Sequence, residues 1–192
     1  MKLSQLILAT AIAFSACYAF ADEFDHDGIR INFPRSFAEK KVMQLEGETI
    51  YLLTQQYDAT SPQKVIGVFV HVRDISNGSE TQNRIATKGT AYESEIALAT
   101  AVRNVFGFPG FKILKDIRHL DISGHKATTA TVSYLGSYAG TEWSAGPVNV
   151  TIYCITESAR SIEFQVIALS DAPKDLVSST IETIENITLE TP

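Results

Sequence analysis

Residues 112–134 read KILKDIRHLDISGHKATTATVSY. Two strand-like runs, 112–122 and 125–134, flank Ser123 and Gly124, and a two-residue connection of this kind makes a tight antiparallel hairpin. Across that turn His125 falls opposite Ile122 and His119 opposite Thr128, which puts the two histidines on opposite faces of the sheet. That placement disfavours them as co-ligands and as partners in catalysis.

Working toward the N-terminus, residues 90–106 carry Thr90 and Glu93 at capping-box spacing, and Gly107 and Pro109 as stop signals. Tyr92, Ile96, Ala99, Val102 and Phe106 share one face of this expected helix, with Glu93, Ala97, Thr100 and Asn104 on the opposite side. Residues 74–89 are polar and read as a loop or a short frayed helix. Before them Ile66, Val68, Val70 and Val72 alternate with Gly67, Phe69, His71 and Arg73, a strand with two distinct faces. Residues 50–53 form a shorter strand. Ile29, Ile31 and Phe33 alternate with Arg30 and Asn32 until Pro34, where that strand is expected to end.

Toward the C-terminus Val148, Val150, Ile152 and Cys154 fall on alternate positions, as do Ile162, Phe164, Val166 and Ala168. A last helix opens near residues 170–173 and places Val177, Ile181 and Ile184 at helical spacing. The expected fold class is α+β: an antiparallel sheet packed with two main helices, in the order β-β-β-α-β-β-β-α.

The first 21 residues read as an export signal. Lys2 supplies a positive start, residues 3–16 are largely apolar, and Ala19 and Ala21 satisfy the A-x-A rule, so cleavage is expected after Ala21. The apolar stretch is too short to span a bilayer. Phe14, Ser15, Ala16 and Cys17 resemble a bacterial lipobox, which leaves anchoring through a lipidated Cys17 as the alternative. The expected organisation is a signal peptide over 1–21 and one domain over 22–192, located in the periplasm or secreted. Cleavage leaves Cys154 as the only cysteine, so no internal disulfide can form. The formal net charge of −6 argues against a nucleic-acid partner and against a general affinity for anionic membranes.

The element order resembles the fold shared by the PsbP extrinsic subunits of photosystem II and the bacterial DcrB-like envelope proteins. The features that carry the likeness are the strand 29–33 ending at Pro34, the hairpin Ile122, Ser123, Gly124, His125, Lys126 and Ala127, and the closing helix with Ile181, Ile184 and Ile187. The resemblance implies a PsbP-like sandwich and an envelope location. Members of this fold do not share one activity, and no ligand residue carries over.

Candidate sites are sparse. Glu23, Asp25, Asp27 and Gly28 match the opening positions of a calcium loop, but Pro34 stands where a bidentate glutamate is required, so an acidic mature terminus accounts for them. Cys154 lies on an apolar face and reads as a small buried hydrophobe, and no base is near it in sequence. No Gly-x-Ser-x-Gly elbow, phosphate loop or Cys-x-x-Cys pair occurs, and no pattern points to a cofactor, a metal or a catalytic group. In residues 136–147, Tyr138, Glu142 and Trp143 are spaced by Gly140, Ser144 and Gly146. That composition suits a partner-binding loop, or a hairpin connection whose aromatics fold back on the sheet. Three functions follow: a non-enzymatic binding or assembly module acting on another envelope protein, a carrier of a small apolar ligand between sheet and helix, or a hydrolase.

Overall fold

The computed structural model describes residues 19–45, 47–60, 64–135 and 147–190. One antiparallel sheet contains β1 (Ala19–His26), β2 (Ile29–Leu45), β3 (Glu48–Gln56), β4 (Val65–Asp74), β5 (Lys112–Ile122), β6 (His125–Leu135), β7 (Pro147–Thr156), β8 (Arg160–Leu169) and the short β9 (Thr188–Leu189). Helices α1 (Ser79–Lys88) and α2 (Thr90–Phe106) separate β4 from β5, and α3 (Lys174–Glu185) follows β8. The spatial order is β1-β2-β3-β4-β8-β7-β6-β5, with β9 on β2. The chain therefore starts at one edge, reaches the middle, crosses through α1 and α2 to the far edge, and returns.

This is the α+β class read from the sequence; β1, α1 and β9 are added, and the second group holds the four strands read one by one above, where the expected order gave three. Strand alternation divides the apolar side chains between two faces. Ile66, Val68, Val70, Ile162, Phe164 and Val166 pack with Leu176 and Ile184 of α3. Phe69, Val148, Val150, Ile152 and Ile167 pack with Leu98, Ala101 and Val105 of α2. Each such side chain, fully buried, contributes about 1.5–3 kcal/mol.

Both two-residue turns with positive φ at each position suit the twist of their strands. They are Ser123 and Gly124 (φ 53° and 80°) and Asp27 and Gly28 (φ 53° and 69°). Ile122 pairs with His125 and His119 with Thr128, as the hairpin reading requires.

Three local expectations are corrected. The strand opening at Ile29 does not end at Pro34 but runs to Leu45. Its register to β1 jumps from Asn32 to Phe37, so the proline falls in a gap of the ladder where its missing N–H costs nothing. Residues 79–88 form a full helix. The capping box is absent, since Gly89 is the N-cap of α2 without a side-chain cap, and Glu93 bonds Arg84 instead.

Candidate functional site

Helix α2 packs over β6 and β7, leaving the α2-side faces of β3, β4 and β8 only partly covered. Cross-strand register sets three rows there: Glu48, Arg73 and Ser161; Ile50, His71 and Glu163; Leu52, Phe69 and Gln165. These rows, except Leu52, floor a cleft of about 480 Å³ walled by α1, α2 and Phe108.

The cleft has two ends. At the first turn of α2, Arg84 of α1 grips Glu93 with two hydrogen bonds, Nε to Oε2 and Nη2 to Oε1, each 2.7 Å. Its Nη1 donates to Glu80 Oε1 at 2.7 Å. The hydrogen bonds that Arg84 donates to Glu93 hold its guanidinium well above the ordinary pKa and tie α1 to α2. Below them Arg73 Nε donates to Glu48 Oε1 at 2.6 Å. Burial alone would raise the Glu48 pKa, but the Arg73 guanidinium, with help from His71, outweighs it and holds the carboxyl below its usual range. The other end is apolar, with Phe69, Ala101, Val105 and Phe108.

His71 and Glu163 lie between these ends. His71 Nε2 is 3.4 Å from Glu48 Oε2, within reach of an ion pair, but the geometry is not that of a hydrogen bond and this buried atom has no other partner. Glu163 accepts a short hydrogen bond from Gln165 Nε2. Among the described residues no Lys or Arg pairs with Glu163. The cleft's three carboxylates, Glu48, Glu93 and Glu163, outnumber its two guanidiniums, Arg73 and Arg84. Among the described residues no group of three or more His, Cys, Asp or Glu could hold a metal ion.

Cys154 stands beside Glu163 in the same row, on β7, and is fully buried. Burial first, and then the Glu163 charge, raise its thiol pKa well above the ordinary value. A carboxylate next to a thiol opposes the thiolate, so this row is the reverse of an activated nucleophile. His119 pairs with Glu95 and His125 with Glu157, on opposite faces. In the acidic terminus Glu23 and Asp25 both pair with Arg30, and Asp27 accepts from Tyr51. Tyr138, Glu142, Trp143 and Cys17 lie outside the described residues. Leu135 pairs with Pro147, so residues 136–146 connect the two strands of a hairpin. Of the cleft residues, Phe69, His71, Arg73, Glu93, Ile96, Ala97, Thr100 and Asn104 are read from the sequence as parts of a strand or helix face, and none of them as part of a binding site.

No protein-family model matches the sequence, and no curated protein matches it. Solved structures do. A Pseudomonas aeruginosa protein of unknown function, PA94, aligns at 11% identity and TM-score 0.53 over 88% of this chain and 96% of its own. LpqN, involved in cell envelope biogenesis of Mycobacterium tuberculosis, aligns at 13% identity and TM-score 0.51 over 88% of this chain and 90% of its own. Cyanobacterial PsbP from Synechocystis aligns at 14% identity and TM-score 0.41 over 79% of this chain and 92% of its own. The chain shares its α+β fold with PA94 and LpqN, and at such identities a shared fold is all that these likenesses carry. Among the described residues no helix is long and apolar enough to cross a membrane.

Proposed function

We propose that this chain is an exported, non-enzymatic binding module of the cell envelope, and that its ligand is a small amphiphile with a cationic head seated in the cleft beside α2. The observation that carries this reading is Glu163, a carboxylate without a cation partner among the described residues, midway between a charged and an apolar end. The second function read from the sequence is a carrier of a small apolar ligand between sheet and helix. The charged half of the lining revises that: an apolar molecule would strip water from Glu163 and His71 without replacing its hydrogen bonds. A cationic head answers Glu163, and an apolar body fits Phe69, Val105 and Phe108. LpqN's part in envelope biogenesis supports the location by analogy. The signal reading supports it too: a cut after Ala21 falls where the β1–β2 register breaks and keeps the pairing of Glu23 to His26.

Titration with octylammonium and octyl sulfate, followed by calorimetry, tests the ligand class. The expected result is preference for octylammonium, weakened about tenfold in Glu163→Gln. Equal binding of both ions, or no effect of the substitution, rejects the cleft reading.

Contact with another envelope protein through Tyr138, Glu142 and Trp143 is a second proposal. The Leu135–Pro147 pairing favours it, because it holds both ends of that connection together.

A further inference from the structure

The large exposed hydrophobic side chains among the described residues are Phe106, Ile113, Leu114, Ile117 and Leu135, each 47–68% exposed. All belong to one border of the molecule: the last turn of α2, the edge strand β5, and the end of its neighbour β6. Two contacts join the flank of α2 to this border. His119 Nε2 lies 3.9 Å from Glu95 Oε1, and the rings of Phe106 and Phe111 meet edge-on at 5.2 Å. Between those contacts Ala99, Val102 and Phe106 follow Glu95 at helical spacing. Ile113, paired with Val132 of the α2-side core, lies on the same side of the sheet. This stripe of α2 is apolar, and only its Val102 leans on the core; Ala99 and Phe106 are exposed.

The same border is basic in an acidic protein. Lys112, Lys115 and Arg118 stand on β5 against Asp116 and Asp121, of which Asp121 is paired with Lys126; on α2 Arg103 is exposed, and Glu95 lies beside His119. Arg118 lies 3.8 Å from Glu185 and shares part of its charge there. The acidic cluster Glu23, Asp25 and Asp27 belongs to β1 and its turn, at the opposite edge of the sheet. Seven strand spacings separate the edges, roughly 30 Å or more, against a screening length of about 8–10 Å. The net charge of −6 therefore does not describe what a surface approaching β5 meets.

We propose that this border is a docking surface for an anionic lipid bilayer, with Phe106, Ile113 and Ile117 entering the interface and Lys112, Lys115 and Arg103 meeting the headgroups. Interfacial binding of this kind adds apolar insertion to attraction by anionic lipid. Strand addition is disfavoured, because the β5 register breaks between Ile113 and Lys115 and again between Lys115 and Arg118, which spoils the free edge as a template. A second copy meeting the same border would set Lys112 and Lys115 against their own kind.

Co-sedimentation of the exported chain with vesicles tests this, using phosphatidylcholine alone and phosphatidylcholine with phosphatidylglycerol. Binding should require phosphatidylglycerol and weaken with salt. Lys112→Gln and Lys115→Gln should each weaken it about fivefold, and Asp116→Lys should tighten it. Ile113→Ser with Ile117→Ser, exposed positions whose loss leaves the melting temperature nearly unchanged, should abolish most of it. No binding to anionic vesicles, equal binding to neutral ones, indifference to these substitutions, or a dimer that the Ile113/Ile117 variant dissolves would each overturn the proposal. Glu163→Gln should leave vesicle binding intact, which separates this surface from the cleft.

Discussion

Arg160 is 8% exposed, and its guanidinium joins three distant stretches of chain. Nε lies 2.5 Å from Glu157 Oε2, Nη2 donates to Glu190 O at 2.6 Å, and Nη1 donates to Asp27 O. Gly28 gives way to it twice over: its φ is +69°, and a Cβ there would come 2.9 Å from Arg160 Nη1. Glu157 is itself 5% exposed, so removing the guanidinium strands a buried carboxylate. Arg160→Met should cost about 3–5 kcal/mol in urea unfolding, and adding Glu157→Leu should restore most of it. If the double variant is as unstable as the single, the bonds to Asp27 and Glu190 matter more than the ion pair. Sequence did not show this pin, because Glu157 to Arg160 reads as an ordinary polar turn. It did show that Cys154 is buried and that His119 and His125 face apart, since a strand's period of two fixes the face once the register is known.

Helix α2 shows where a periodic pattern misleads. Its buried stripe is Ser94, Leu98, Ala101 and Val105, whereas Ala99 and Phe106 of the more apolar stripe turn outward and Val102 is half-buried against the core. Ser94 disguises the buried stripe. Its Oγ accepts from Thr156 N at 2.9 Å and its carbonyl accepts from Thr128 Oγ1 at 2.9 Å, so a polar residue serves the sheet contact. Leu98→Ala should therefore cost about 2–5 kcal/mol by chemical denaturation, and Phe106→Ala no more than about 0.5 kcal/mol. The reverse ranking would mean that α2 is rotated about its axis. Strands were easier to read than helix faces: the alternations at Ile66 to Val72, Val148 to Cys154 and Ile162 to Ala168 each bury the expected side. The cleft was illegible for a different reason. Glu48, His71 and Glu163 sit on β3, β4 and β8, and β4 meets β8 only through a long crossover that no local pattern announces.

At the scale of the whole molecule, the titratable groups set the pH range over which the fold holds. Glu48, Asp58 and Asp74 all lie below their ordinary pKa. For Glu48 the Arg73 guanidinium outweighs the opposing effect of burial; for Asp58 and Asp74 hydrogen bonds from Thr60 and from Ser76 are the leading cause. A depressed pKa gives stability that is present above the unfolded value, about 4, and is lost as pH falls through the folded value. Tyr134 is pushed up to about 12 by burial. Tyr153 is held above the phenol range by burial and by its hydrogen bond to Glu185. A raised pKa gives stability that is complete below the unfolded value, about 10, and is lost as pH rises through the folded one. Urea midpoints measured across pH should thus hold level between about pH 5 and pH 8, where the buried Cys154 thiol begins to lose its share, and fall on both sides. Glu48→Gln should lower the plateau and flatten only the acid fall, while Tyr134→Phe should flatten only the alkaline fall. Curves for either variant that run parallel to the parent would mean that the substituted group has the same pKa folded and unfolded, contrary to its surroundings.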